Sequence, residues 1–101
     1  MTLTKKEFVS RLAENRDCPK AEANRIINDV IDTLRQSLIE GYSVRFPEFG
    51  NFEVRRKEER EIYSPLAGGV VTVPEHNYLR FVPSDALKER IKNGAGNLEQ
   101  D

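Results

Sequence analysis

The chain has 101 residues, a formal net charge of −1, one cysteine and no tryptophan. That length allows one small domain, and a lone Cys18 excludes an internal disulfide framework. Residues 1–47 carry eight Lys/Arg against seven Asp/Glu, and residues 48–101 carry eight against ten, so neither half is a basic tail. Any affinity for a polyanion must therefore rest on where the cations sit.

Met1-Thr2-Leu3-Thr4-Lys5-Lys6 lacks the apolar run of a signal peptide, and no apolar stretch approaches a membrane span. A soluble cytoplasmic protein is expected. Thr4 followed by Glu7 forms a capping box. Phe8, Val9, Leu12 and Ala13 then recur at helical spacing, which predicts a first helix over about Lys5 to Glu14. Asn15-Arg16-Asp17-Cys18 is the turn, and Pro19 suits the first position of a second helix. Ala23, Ile26, Ile27, Val30, Ile31, Leu34 and Leu38 keep one wide apolar face, until Gly41 terminates it. A stripe that wide can face both the first helix and a partner chain.

Strand patterning follows. Val44-Arg45-Phe46, a turn at Pro47, and Glu48-Phe49-Gly50-Asn51-Phe52-Glu53-Val54 alternate as strands buried on one face. Phe46, Phe49, Phe52 and Phe81 are expected in the core, and Gly50 at a tight backbone position. From Arg55 to Glu61 the alternation gives way to charge on both strand faces. Ser64-Pro65-Leu66-Ala67-Gly68-Gly69 is a break, Val70-Val71-Thr72-Val73 is β-rich, and Tyr78-Leu79-Arg80-Phe81 returns. A ribbon with an apolar base and a charged middle is a hairpin leaving the body. Its reach over Arg55 to Glu75 is roughly 30 Å, at about 3.3 Å per residue. With the arm excluded, about 70 residues build the body, a size that favours dimerisation. Ser84 caps a short third helix carrying Leu87 and Ile91. Residues 94–101 are polar and Gly-rich, and are expected to be a disordered tail.

Enzymatic chemistry finds little support. His76 is the only histidine and sits beside Glu75 in an exposed strand. Cys18 has no second ligand at zinc spacing, Gly68-Gly69 lacks the lysine and helix of a phosphate loop, and the acidic residues show no metal-loop spacing. No cofactor, metal or small-molecule ligand is expected.

The chain resembles the HU/IHF family of bacterial histone-like, DNA-bending proteins, without a gap from about Thr4 to Lys92. Thr4-Lys5 looks like the family's opening. Glu48-Phe49-Gly50-Asn51-Phe52 is similar to its Gly-Phe-Gly-x-Phe signature. Pro65 falls at its arm-tip proline, and Phe81-Val82-Pro83-Ser84-Asp85-Ala86-Leu87-Lys88 is similar to its run into the last helix. The resemblance implies an α+β fold with two N-terminal helices, a three-stranded antiparallel sheet with an extended β-arm over about 55–76, and a short C-terminal helix, all within residues 1–93. It implies an intertwined homodimer, or a heterodimer with a related subunit. Two arms would enter the minor groove of double-stranded DNA, and Pro65 would wedge between base pairs and bend the duplex.

The chain departs from the family at the tip, where Tyr63-Ser64-Pro65-Leu66-Ala67-Gly68 stands for Arg-Asn-Pro-x-Thr-Gly. Glu48 replaces a glycine, Val82 and Ser84 replace a basic residue and a glycine, and Asp85 replaces a lysine. Arg55, Arg56, Lys57, Arg60 and Arg80 are candidates to neutralise phosphates along the arm, with Tyr63 and Leu66 flanking the Pro65 wedge. Arg45 is placed on the saddle, and Lys5, Lys88, Arg90 and Lys92 on the flanks. From Glu53 to Glu61, four basic residues meet four acidic ones. The bland alternative is a solvated ribbon of cross-strand ion pairs. If DNA is bound, moderate affinity, strong salt sensitivity, weak sequence preference and a taste for nicked or pre-bent duplex are expected. The function expected is architectural, bending or compacting DNA in the nucleoid. The rival is a paralogue with weak or lost DNA binding, whose arms hold a protein partner through Tyr63, Leu66 and Val70.

Overall fold

The computed structural model describes residues 1–94. Its elements run α1 (Lys5–Arg16), α2 (Lys20–Ile39), β1 (Val44–Phe46), β2 (Gly50–Lys57), β3 (Arg60–Ser64), β4 (Gly69–Val73), β5 (His76–Pro83) and α3 (Asp85–Gly94). The α3 helix takes in Gly94; the rest of the expected tail lies outside the described residues.

Local chemistry accounts for the ends. The Thr4 hydroxyl accepts the Glu7 N–H at 3.2 Å, and the Glu7 carboxylate accepts the Thr4 N–H at 3.3 Å, completing the capping box. The first helix runs past Glu14 to Arg16, because Asp17 closes it in the left-handed region, φ 52°, with its N–H on the Ala13 and Glu14 carbonyls. Pro19 stands one position earlier than expected. It is the N-cap of α2, with ψ 148°, and its carbonyl accepts the Glu22 and Ala23 amides. A ring that fixes φ near −65° serves either position. The Ser84 hydroxyl caps α3, accepting the Leu87 N–H at 3.1 Å.

The sheet is antiparallel in the order β1-β2-β5, and β3 pairs with β4 as a separate ribbon. Val44 faces Phe52, Phe52 faces Phe81, and Lys57 faces His76. Beyond the gap Arg60 faces Val73, so the register carries through and Glu58 and Glu59 lie opposite Glu75 and Pro74. Pro74, which has no amide donor to offer the ladder, sits in the stretch where it opens. At the tip, Ser64 pairs with Gly69 and the turn is held by Gly68 N–H to Pro65 O, 3.2 Å, with Gly68 at φ 78°.

The four phenylalanines cluster as expected, with Phe52 and Phe81 ring centroids 4.8 Å apart and Phe49 and Phe81 5.6 Å apart. Their burial does not follow. Phe46, Phe49 and Phe81 stay 39%, 46% and 40% exposed. The apolar residues buried among those described are Val9, Ala13 and Ala23, where α1 meets α2. Val30 and Ile31 on the apolar stripe of α2 are exposed as well, as is Ile39 at the end of the helix. The one layer this protomer sets against the sheet, α2, leaves these rings partly open. Its radius of gyration is 19.0 Å, against about 13 Å for a compact domain of this length.

Candidate nucleic-acid interface

Strand alternation gives the sheet two unlike faces. One carries Val44, Phe46, Phe52, Val54, Leu79 and Phe81. It turns toward α2: Val44 and Phe46 share a groove with Val30 and Leu34, and Val54 and Leu79 share one with Leu38 and Ile39. The depression on the other face is lined, among the described residues, by no helical residue. In cross-strand rows that face holds Arg45, Asn51 and Val82, then Glu53 with Arg80, then Arg55 with Tyr78, then Lys57 with His76. Along the arm the same alternation continues through Glu61 with Thr72 and Tyr63 with Val70.

Four of the sequence-predicted cations, Arg45, Arg55, Lys57 and Arg80, thus share one outer face. Arg56 and Arg60 fall on the opposite face. Two of the arm cations are occupied within the chain. The Arg55 guanidinium contacts Glu53 Oε1 through Nη2 at 2.7 Å and Nε at 2.8 Å. Arg56 Nη2 lies 2.5 Å from Glu75 Oε1. Lys57 Nζ sits 5.5 Å from the centroid of the Tyr78 ring, a cation–π contact. Arg45, Arg60 and Arg80 are exposed and make no ion pair among the described residues.

The tip is apolar and open. Leu66 is fully exposed beside Pro65, and Tyr63 and Val70 pair on the outer face of the ribbon, both exposed. Lys5 stands at the start of α1, where it lines a shallow groove with Lys6 and Lys20, two lysines that sequence reasoning passed over. Lys88, Arg90 and Lys92 are exposed on α3. His76, also missed as a member of this face, points Nδ1 at the Pro74 carbonyl, 3.1 Å away, beside the gap in the ladder.

A helical base, a cation-rich sheet face and a projecting ribbon define an architecture suited to a long polyanion. Comparison with known proteins makes the class specific. A family model described as "Bacterial DNA-binding protein" matches residues 3–92. DNA-binding protein HU of Thermotoga maritima is 33% identical over 90 residues, spanning 89% of this chain and 100% of that protein. Integration host factor subunit alpha of Alkalilimnicola ehrlichii is 34% identical over 100 residues, 99% of each chain. Among solved structures, an Anabaena HU-DNA cocrystal structure matches the fold with a TM-score of 0.79 at 24% identity, over 88% of this chain and 97% of that one. The chain belongs to the HU/IHF family of bacterial DNA-binding proteins.

Proposed function

We propose that two protomers interlock and bind double-stranded DNA across the outer face of the sheet, with the arms following the minor groove and Pro65 wedging into the stack. The protein acts by shape and charge, without chemistry. It bends or compacts DNA in the nucleoid of the bacterial cytoplasm. The observation that carries this reading is the alignment of Arg45, Arg55, Lys57 and Arg80 on the sheet face opposite α2. A two-stranded tip is too broad for a groove about 6 Å wide, so entry requires widening and bending. An apolar wedge offsets part of the unstacking cost.

Dimerisation is supported by what one chain leaves uncovered. The exposed surface is 8677 Å², roughly half as large again as mass scaling gives for a compact chain. Phe46, Phe49, Phe81, Val30 and Ile31 supply an apolar patch of the kind that obligate dimers bury. The relatives include one whose name, integration host factor subunit alpha, is that of a subunit. The second protomer is accordingly either an identical or a related chain.

The direct test is gel retardation of short nicked and intact duplexes across a salt range. The expected result is tighter binding to the nicked duplex and a steep loss of affinity with salt. Absence of retardation at low salt sinks the reading. It would favour arms that hold a protein partner, which the exposed Tyr63, Leu66 and Val70 at the tip would suit. Pro65→Ala separates wedge from grip. The bend angle measured by energy transfer between duplex ends should fall, while affinity stays within about threefold, because the phosphate contacts remain.

A further inference from the structure

The outer face carries a carboxylate at its centre. Glu53 lies in the middle strand β2 and faces Arg80 across to β5. Arg55, two residues along the same strand, grips its Oε1 through two nitrogens. Glu53, Arg45, Asn51 and Arg55 line one shallow depression. The Glu53 side chain is 24% exposed, half the 48% of Arg55, so the glutamate is the more enclosed member of the pair. It is also fixed there. The register that puts Glu53 opposite Arg80 is anchored at one end by buried Gly50, and alternation forbids the side chain from reaching the other face.

Carboxylates and phosphodiesters compete for the same planar donor edge of arginine. We propose that Glu53 is a built-in phosphate mimic that limits how tightly this saddle grips DNA, and that a duplex must displace it before Arg55 can take a backbone phosphate. The inference rests on the DNA-binding reading above and names the residue that tunes it.

Glu53→Gln tests it. Glutamine keeps the size of the side chain, removes the anion and leaves an amide able to donate to phosphate. The pair lies on the sheet surface and is open to solvent on its arginine side, so its loss should move the melting temperature by no more than a few degrees. Affinity for a nicked duplex at about 0.1 M salt should rise about tenfold, and the slope of log affinity against log salt should steepen by about 0.9 for each arginine released. Asp32→Asn is the control. It removes the same charge from an exposed ion pair with Arg35, 2.7 Å long, on α2, the helix that borders the apolar face of the sheet, and should leave affinity unchanged. In an Arg55→Ala background, Glu53→Gln should lose most of its gain.

A folded Glu53→Gln protein that binds no tighter than wild type overturns the inference while leaving DNA binding intact. So does an equal gain from Asp32→Asn, or a full gain without Arg55, since either makes Glu53 a matter of net charge alone. If neither wild type nor Glu53→Gln retards DNA at low salt, the inference and the proposed function fall together.

Discussion

Gly50→Ala should cost about 2–3 kcal/mol of stability, the range of a forced methyl in a packed site. A Cβ at this position would lie 2.7 Å from the Val82 carbonyl oxygen and 2.8 Å from two carbons of the Phe81 ring. The oxygen belongs to the neighbouring strand and cannot swing aside. The Phe81 ring is held against Phe49 and Phe52, so it can retreat only by disturbing the cluster. Gly50 also sits where all three strands meet, paired with Phe46 on one side and Pro83 on the other. Thermal unfolding followed by circular dichroism should show the melting temperature lowered by about 10–20 °C, given roughly 4–8 °C per kcal/mol in a domain of this size. Gly69→Ala, at the arm tip, meets nothing within 4 Å and should leave the melting temperature unchanged. Equal effects at the two glycines would mean that backbone entropy, and not the close approach beneath Phe81, governs the site.

Much of this is legible in the sequence alone. Thr4 with Glu7 announced the first helix, and the wide stripe from Ala23 to Leu38 announced the second, because side-chain capping and helical periodicity are local. Gly50 between Phe49 and Phe52 already signalled a tight backbone position. The Glu48 turn was legible only as a departure from a family glycine; its φ of 63° shows why glycine suits that position, since a left-handed non-glycine residue costs about 1 kcal/mol or more. What stayed hidden was relational. Burial of the four phenylalanines was expected from residue type, yet burial depends on what lies above the rings, and one protomer supplies too little. The division of the arm cations was half visible, since alternation alone puts Arg55 and Arg56 on opposite faces. The pairing of Glu53 with Arg80, and of Lys57 with His76, needs the register between β2 and β5. The intervening arm hides that register from local reasoning. The interruption at Glu58-Glu59 and Pro74-Glu75 is likewise a cross-strand coincidence that neither segment shows by itself.

Replacing Arg45 and Arg80 together by alanine should abolish most DNA binding while leaving the fold untouched. Both are exposed on the outer face, and neither is tied to a carboxylate among the described residues, so neither must first be released. A dimer would lose four phosphate contacts. Counterion release then predicts a salt slope lower by about 3.6, and a loss of about 10²–10³ in affinity at about 0.1 M salt. Arg56→Ala with Arg60→Ala removes the same charge from the opposite face, where Arg56 is already held by Glu75. That pair should lower affinity and flatten the slope to a smaller degree, because its contribution comes only from the flank of the arm. The comparison is decided by slopes measured on one nicked duplex under one buffer series. A larger loss from Arg56 and Arg60 than from Arg45 and Arg80 would place the duplex against the face that α2 covers. The apolar rings and the second helix already compete for that face, so the strand parity and the assigned DNA surface would have to be exchanged.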